Sequence, residues 1–353
     1  ALKYPSAIRR QLLRWYDQNR RDLPWRRTRD PYAIWIAETM LQQTQVATVE
    51  PYYQRFLREL PSIYSLHRAP LRTVLTLWSG LGYYRRAENL KKSADEIVHK
   101  HDGELPKDYH AWLGLPGVGD YTAGALMSIA FRQRYPAIDG NARRVLYRLL
   151  DPKNENELRR FAKLLVPRTR PGDFNQGLMD LGATICIAKH PRCPRCPIAT
   201  HCVARAKGRP IKSFRTGNAG LTQDIEWPLA IVRQGGKVLL RQRTRKGILA
   251  GLWEFPGGEK RPRHGLRDLL ASQLAELRAR FPSERRIGEF RHSITNRKIR
   301  AAVFLFDLPK NTKLRLPSRR WRWASPASLR EFAVSSMTFK AATILAHHEK
   351  NSA

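Results

Sequence analysis

Apolar residues in the first half of the chain recur at intervals of three and four positions, which places them on one face of an α-helix. Short polar breaks that contain Pro or Gly separate these stretches, as is typical of helix ends. The pattern predicts helices that include Tyr32–Thr44, Ala69–Leu77, Arg85–His99, Asp120–Phe131 and Ala142–Leu150. We therefore expect an all-α domain over residues 1–204.

The pattern changes in the second half of the chain. Two short apolar stretches flank Gln234-Gly235-Gly236-Lys237, which is typical of two strands joined by a hairpin turn. The polar, basic residues 205–226 indicate a linker. The sequence thus predicts an α+β domain over residues 227–353, with strands Leu229–Val232, Val238–Arg241 and Ile299–Leu308, a helix Leu266–Phe281, and a terminal helical region that begins at Pro326–Phe332.

The balance of charge points to a polyanion as the partner. Lys and Arg number 65 and Asp and Glu number 30, which gives a formal net charge of +35. Such a charge favours nucleic acid. The cations are spread through segments that look folded, which disfavours a membrane surface. The chain has no long apolar run and no signal-peptide core, so we expect no membrane partner.

Four cysteines, Cys186, Cys193, Cys196 and Cys202, lie within one stretch of seventeen residues. This usage indicates a reducing compartment and a metal centre rather than a disulfide framework. Thiolates bind zinc or iron–sulfur clusters, and structural zinc usually takes two C-x2-C pairs. This loop has one such pair with the outer cysteines close around it. The spacing favours a [4Fe–4S] cluster, with zinc as the alternative.

Two loops are candidates for contact with the DNA backbone. Gly117 and Gly119 lie in the connection LPGVG between two predicted helices, and free N–H groups at the start of the second helix suit a phosphate. Lys189, His190, Arg192 and Arg195 lie between the cysteines and could hold phosphates. The alternatives are an ordinary helix connection and a solvated basic loop, and the charge of the chain favours DNA.

Two carboxylates are candidates for the chemistry. Glu38 shares a predicted helix face with Ile34 and Leu41, and a carboxylate there is costly unless it is paired or protonated. Burial raises a carboxyl pKa, which suits a general acid; a structural glutamate with an Arg or backbone partner is the alternative. Asp139 precedes a predicted helix and is either a simple N-cap or a charge that stabilises a cation. One acid of each kind is what cleavage of a glycosidic bond requires.

The segments WIAETMLQQTQV, GLGYYRRAENL, LPGVGDYTAGA, IDGNARRV, the four-cysteine loop and GLWEFPGGE together resemble adenine DNA glycosylases of the MutY family. The resemblance implies a multi-domain protein, with an all-α helix-hairpin-helix glycosylase domain, a [4Fe–4S] loop and an α+β Nudix-like C-terminal domain. It implies a monomeric base-excision repair enzyme that flips adenine out of double-stranded DNA opposite 8-oxoguanine or guanine. The short linker suggests an enzyme of the bacterial cytoplasm and nucleoid.

The resemblance also assigns roles to individual residues. Glu38 would protonate adenine, Asp139 would stabilise the sugar cation, and Tyr121 and Asn141 would support this pair. The residues that match the adenine pocket are Arg21, Leu23, Trp25, Arg26 and Gln176. The two that match the residues inserted into the base stack are Gln43 and Tyr83.

Three features of the chain depart from the patterns of related enzymes. Endonuclease III-type enzymes carry a Schiff-base Lys where this chain has Tyr121, so we expect no strong lyase activity. The Nudix box retains only Glu276 in a plausible metal-binding position, so we expect a lesion-binding domain, or else an accessory domain, and no pyrophosphohydrolase. Ile294-Thr295-Asn296 stands where the family usually has Phe-Ser-His to read 8-oxoguanine, so we expect weaker preference for that base.

Three other functions remain open on the sequence. The scaffold is compatible with a glycosylase for thymine or another pyrimidine, although the pocket residues and the Nudix-like half argue against it. A non-enzymatic iron–sulfur DNA-binding regulator would not need Glu38. A Nudix hydrolase with a DNA-binding appendage is disfavoured by the missing acids.

Overall fold

A computed structural model of the chain describes residues 4–208, 222–244, 247–260, 266–277, 281 and 283–352. The chain forms two compact units: Ala1–Ala69 with Arg85–Gly217, and Pro70–Tyr84 with Asn218–Ala353. The segment 70–84, which the sequence placed inside the first domain, therefore belongs with the second half of the chain. Hydrogen bonds from the side chains of Ser79 and Tyr84 to the backbone of Val334 explain this placement.

Helices dominate the first unit, as predicted. The first twelve helices of the chain, of which α5 lies in the second unit, are α1 (Pro5–Asn19), α2 (Pro31–Leu41), α3 (Val46–Glu59), α4 (Ile63–Arg68), α5 (Leu71–Leu77), α6 (Arg85–Lys100), α7 (Tyr109–Leu113), α8 (Asp120–Ile129), α9 (Gly140–Leu150), α10 (Glu155–Leu165), α11 (Pro171–Thr184) and α12 (Val203–Ala206). The predicted ends of α2 at Thr44 and of α8 at Phe131 were too late, because the chain leaves the helix for a turn at Gln42 and at Ala130.

Helix α2 lies in the interior of the first unit. Asp30 caps it by accepting hydrogen bonds from the N–H groups of Tyr32 and Ala33, and Pro31 occupies its first turn. Its residues from Tyr32 to Met40 are all buried, although the pattern predicted only one core-facing side. A second apolar core joins α1, α9, α10 and α11 to the cysteine loop. Side chains on α2 are therefore buried on every side of the helix.

A six-stranded mixed sheet forms the second unit. Its strands are β1 (Gln223–Gln234), β2 (Lys237–Gln242), β3 (Trp253–Glu254), β4 (Arg285–Ile294), β5 (Arg297–Asp307) and β6 (Trp321–Ala324). The order is β3-β2-β1-β5-β4, and β6 also pairs with β2. The central pair β1 and β5 is parallel, and the other pairs are antiparallel.

The two faces of the sheet are covered by different helices, α13 (Leu266–Leu274) and α14 (Ser336–Ser352). Along β1, Leu229 and Ile231 pack with residues of α14, whereas Ala230 and Val232 pack with residues of α13. This alternation follows from the two-residue period of a strand. The predicted α+β organisation is thus confirmed as a sheet between two helical layers.

Long-range pairing changed three local predictions in this half. β1 begins at Gln223, inside the predicted linker, because residues 223–226 pair with β5; residues 209–221 of that linker lie outside the described residues. The helix was predicted to continue to Phe281, but α13 ends at Leu274 and a 3₁₀ turn follows over Ala275–Leu277. Residues 278–280 lie outside the described residues. Strand β4 was missed, because its alternation is weak and its pairing with β5 is what defines it.

No helix in the described part of the chain is both long enough and apolar enough to cross a lipid bilayer.

Candidate active site

A cleft in the first unit brings together the residues that the sequence singled out for catalysis and for the adenine pocket. It has a volume of about 1160 Å³ and lies between the segment before α2, the turn after α2, and helices α8, α9 and α11. The predicted residues that line it are Arg21, Leu23, Trp25, Arg26, Glu38, Gln43, Gly119, Tyr121, Asp139, Asn141 and Gln176. Helix α2 supplies one of its two carboxylates, and the residue before α9 supplies the other.

Glu38 is buried in the floor of this cleft, with only 5% of its surface exposed. Its Oε2 accepts a hydrogen bond of 2.5 Å from the hydroxyl of Tyr121. Burial raises the pKa of Glu38 to about 7; the charge of Asp139 adds to this rise, and the Tyr121 hydrogen bond and Arg26 oppose it. Such a pKa keeps a proton on the carboxyl group near neutral pH, which is what a general acid requires.

Asp139 fulfils the N-cap role and also faces the cleft. Its carboxylate accepts hydrogen bonds from the N–H of Ala142 (2.6 Å) and from Nδ2 of Asn141 (3.2 Å). Burial raises the pKa of Asp139, and these two donors oppose that rise. Since both donors stabilise the ionised form, Asp139 is better suited than Glu38 to remain a carboxylate.

Arg144, which the sequence analysis did not single out, holds Asn141 in place. Its Nη2 donates to Oδ1 of Asn141 (2.8 Å) and to the carbonyl of Gly182 (2.6 Å), and its Nε donates to the carbonyl of Cys186 (2.8 Å). These contacts orient the Asn141 amide so that its nitrogen meets Asp139. The motif IDGNARRV contains Arg144 one helical turn after Asn141, which is the spacing that brings the two together.

Asp180 is a second residue that the sequence analysis missed. It lies on α11 with 1% of its surface exposed. It accepts hydrogen bonds from Nε of Arg21 (2.7 Å) and from Nη1 of Arg26 (2.6 Å). A carboxylate four residues after Gln176 shares its helix face, and that spacing was the available signal. Asp180 therefore fixes two cations at the cleft.

Replacing Asp180 should destabilise the first unit. Asp180→Asn leaves the largely buried guanidinium of Arg26 without its counter-charge, so we expect the free energy of unfolding to fall by about 3 kcal/mol. Urea denaturation of wild type and variant measures this loss. Asp22→Asn is the matched control, because Asp22 pairs with Arg27 at the surface, where solvent screens the charges, and its urea midpoint should match that of the wild type. Equal urea midpoints for Asp180→Asn and wild type would contradict the assignment.

The two predicted wedge residues lie in different units. Gln43 is in the turn that follows α2, and Arg86 fixes this turn by donating to the carbonyls of Met40 (2.7 Å) and Gln42 (2.5 Å). Tyr83 belongs to the second unit, and 43% of its surface is exposed. Both residues have left-handed backbone conformations, with φ of 59° for Gln43 and 50° for Tyr83. Such conformations are uncommon outside glycine and often occur at functional loops.

The predicted helical hairpin is present between α7 and α8. Gly117 has a φ of 77°, and a Cβ there would lie 2.8 Å from the side chain of Asn89. Gly119 is the N-cap of α8 and offers no capping side chain, so the first N–H groups of α8 can meet a phosphate oxygen. The hairpin therefore has the geometry of a backbone-binding turn.

The four cysteines line one cavity of about 420 Å³. The described residues contain no group of three or more metal-ligating side chains placed to hold a single ion. Four thiols around one cavity are a donor set that fits an iron–sulfur cluster. The buried Arg148 donates to Sγ of Cys186 (3.3 Å), and none of its hydrogen-bond partners within the described residues is a carboxylate. A negatively charged cluster would compensate this cation. Arg192 and Arg195 flank Cys193 on the same loop, in and before a 3₁₀ turn.

The residues predicted to read the damaged base form a hairpin turn. Ile294 pairs with Arg297 across β4 and β5, so Thr295 and Asn296 are the two residues of the turn. Thr295 has a φ of 52°, an unusual backbone conformation for a β-branched residue. Its hydroxyl donates to the carbonyl of Ile294 (2.7 Å). Glu276, the remaining acid of the Nudix box, accepts a hydrogen bond from Nε1 of Trp321 (3.2 Å).

Comparison with known proteins agrees with both halves of this description. Residues 36–168 match the HhH-GPD superfamily of base excision DNA repair proteins, and residues 229–343 match the NUDIX domain. An adenine DNA glycosylase of Homo sapiens is 34% identical over 94% of this chain and 72% of its own length. One of Buchnera aphidicola is 39% identical over 69% of this chain and 72% of its own length. The chain belongs to the adenine DNA glycosylase family.

Solved structures resemble a little more than half of this chain. A thermostable thymine-DNA glycosylase is 33% identical and aligns with a TM-score of 0.55 over 58% of this chain and 98% of its own. An endonuclease III trapped on DNA is 25% identical, with a TM-score of 0.51 over 58% of this chain and 98% of its own. The thymine enzyme is matched almost completely, yet it covers little more than half of this chain. The family membership predicted from the sequence is thus confirmed. The prediction of an enzyme that hydrolyses an N-glycosidic bond in DNA is confirmed as well.

Proposed function

We propose that this adenine DNA glycosylase removes adenine opposite 8-oxoguanine or guanine by acid-assisted hydrolysis and does not cut the DNA strand. The observation that supports it most is the pairing of two unlike carboxyl groups in one cleft. Glu38 is buried with a pKa of about 7, and Asp139 accepts two hydrogen bonds that stabilise its charge. A single chain supplies both groups, which fits a monomer.

Each step of the reaction has a group in the cleft to perform it. Glu38 gives its proton to N7 of the flipped adenine, and the electron pair of the C1′–N9 bond leaves with the base. Asp139 stabilises the positive charge that develops on the sugar. Water then adds to C1′ and gives a proton to the Glu38 carboxylate, which restores the acid and leaves an abasic site. Tyr121 stays neutral throughout, because burial raises its pKa well above the ordinary value, and it donates a hydrogen bond to Glu38.

The test is release of adenine from a defined duplex. The purified protein is incubated with an 8-oxoguanine:adenine duplex, and alkali then cleaves any abasic site. We expect a break in the adenine strand and none in duplexes whose target base is thymine or cytosine. Cleavage at a target pyrimidine, with the adenine strand left intact, would support the pyrimidine-directed alternative instead.

The enzyme should not form a covalent imine with DNA. Tyr121 stands where a lyase of this fold carries its amine, and its hydroxyl is engaged by Glu38. Borohydride trapping on abasic DNA should therefore give no cross-linked band, and Tyr121→Lys should provide the positive control. Efficient trapping of the wild type would overturn the proposal of a monofunctional enzyme without contradicting adenine release.

Discrimination between 8-oxoguanine and guanine should be weak. Thr295 and Asn296 can still donate and accept hydrogen bonds, but the turn carries no aromatic side chain to stack on the damaged base. Single-turnover rates on the two duplexes should differ by less than they do for relatives with Phe-Ser-His. Replacing Ile294-Thr295-Asn296 by Phe-Ser-His should widen the ratio; a ratio as large in the wild type as in that variant would argue against this prediction.

We also infer that Cys186, Cys193, Cys196 and Cys202 hold a [4Fe–4S] cluster. The shared cavity and the buried Arg148 beside Cys186 support this assignment. Such a cluster would stabilise the loop that presents Arg192 and Arg195, which we propose as phosphate contacts together with Gly117 and Gly119. The reducing compartment implied by the cysteines fits an enzyme of the bacterial cytoplasm.

A further inference from the structure

The loop that carries Tyr83 is attached to the backbone of Val334. Both residues belong to the second unit. The Ser79 hydroxyl donates to the carbonyl of Val334 (2.7 Å) and accepts from its N–H (3.1 Å). The Tyr84 hydroxyl donates to the same carbonyl (2.7 Å) and accepts from the N–H of Gly80 (2.9 Å). Ser79, Tyr84 and Val334 are all buried, so water does not compete for these bonds.

The backbone of this loop needs such support. Gly80, Gly82 and Tyr83 have φ values of 96°, 79° and 50°, which is a close succession of left-handed residues. For tyrosine this conformation is unfavourable and persists only where the surroundings hold it. The buried Trp78 closes the loop from one side by donating from Nε1 to the carbonyl of Gly82 (3.2 Å). The contacts at Val334 hold the loop on both sides of Tyr83.

The segment 333–336, which we call the bracket, also contacts the sheet. The N–H of Trp253 in β3 donates to the carbonyl of Ala333 (2.8 Å), and Val334 pairs with Trp253 in parallel. At the other end of the bracket, the Ser336 hydroxyl lies 3.4 Å from Nε2 of His292. His292 is on β4, two residues before Ile294 at the lesion-reading turn. The bracket therefore contacts both the loop of Tyr83 and the strand that leads to Thr295.

We propose that the bracket positions Tyr83, through Ser79 and Tyr84, for insertion beside the lesion. The inference rests on the proposed function. Ser79 and Tyr84 are then positioning residues that touch no DNA. The second unit accordingly directs two contacts with the damaged site, the wedge at Tyr83 and the turn at Thr295, although the chain supplies them from segments more than two hundred residues apart. A rigid support matters because insertion between bases unstacks them at a cost of a few kcal/mol.

A double-mutant cycle tests the link between Ser79 and Tyr83. Ser79→Ala is made alone and together with Tyr83→Ala, and single-turnover adenine release is measured for all four proteins. We expect Ser79→Ala to slow release by about threefold or more when Tyr83 is present and to have almost no further effect when Tyr83 is alanine. Tyr84→Phe removes the other hydroxyl from Val334 and should behave in the same way, which protects the test if Ser79→Ala folds poorly.

Thr76→Ala is the matched control from the same segment. The Thr76 hydroxyl donates to the carbonyl of Arg72 within α5 and has no bond to the bracket. Its effect, if any, should add to that of Tyr83→Ala. A fluorescent 2-aminopurine placed beside the lesion gives a second readout: wild type should unstack it and brighten it, whereas Ser79→Ala and Tyr83→Ala should both leave it dim.

The outcomes separate this inference from the proposed function. No adenine release by the wild type would overturn both. If the wild type releases adenine normally, but Ser79→Ala and Tyr84→Phe each slow release by the same factor whether or not Tyr83 is present, only the proposal about the bracket is overturned. An undiminished 2-aminopurine signal in both hydroxyl variants would do so too.

Discussion

Glu38→Gln is expected to lower the single-turnover rate of adenine release by about 10³-fold, because glutamine has no acidic proton to give to the base. Glutamine has the same shape and can still accept the hydrogen bond from Tyr121, so the fold and the binding of DNA should be preserved. Glu59→Gln is the control, since Glu59 is exposed and forms an ion pair with Arg58 at the surface, and its rate should equal that of the wild type.

The pH dependence gives the same experiment a sharper readout. Because the pKa of Glu38 is about 7, the proton is present below that pH and lost above it. The wild-type rate should therefore fall as the pH rises through about 7, and the small residual rate of Glu38→Gln should lack this fall. A variant that retains a wild-type rate and profile would show that another group supplies the proton, or that the chain is a non-enzymatic DNA-binding protein.

Asp139→Asn is expected to reduce the rate of release by about 10³-fold, because the amide carries no charge to stabilise the sugar cation. Asparagine is as good an N-cap as aspartate, so the bond from the Ala142 N–H to the side chain should remain and α9 should stay folded. The measurement is single-turnover release together with the thermal midpoint of unfolding.

Asp108→Asn is the control for this substitution. Asp108 caps α7 by accepting hydrogen bonds from His110 and Ala111, so it tests the same chemical change at another helix start. We expect its rate and its thermal midpoint to match those of the wild type. If Asp139→Asn were as active as Asp108→Asn, the role of Asp139 would be that of a cap alone.

The two substitutions test two different roles, and the two carboxyl groups have different surroundings in the structure. Glu38 lies inside a helix whose neighbours are apolar, and Asp139 lies at a helix start where N–H groups converge. The first environment favours the neutral acid, whereas in the second the hydrogen-bond donors oppose the rise in pKa that burial causes. Since the charge of Asp139 also contributes to the raised pKa of Glu38, removing it by Asp139→Asn should shift the pH profile of the residual rate downward.

Several elements of the site could be predicted because they depend on neighbours in sequence. The cap at Asp30, the helix start at Gly119-Asp120 and the hairpin between β1 and β2 follow from local backbone preferences, and the structure has each of them. Arg144 and Asp180 escaped prediction because their partners are remote: Arg144 bonds to Cys186, and Asp180 bonds to Arg21 and Arg26. Strand β4 escaped for the same reason.

The sequence by itself identified the groups that can carry a proton, a charge or a thiolate, because residue type and spacing decide this, and the resemblance to a known family implied the class of chemistry. Glu38, Asp139 and the four cysteines were identified from their residue types and their positions along the chain. Only the tertiary structure decided how those groups behave. The pKa of Glu38 depends on the burial of α2, and the place of Tyr83 depends on hydrogen bonds to Val334. Burial and long-range contacts arise from packing of segments far apart in the chain, which no local pattern specifies.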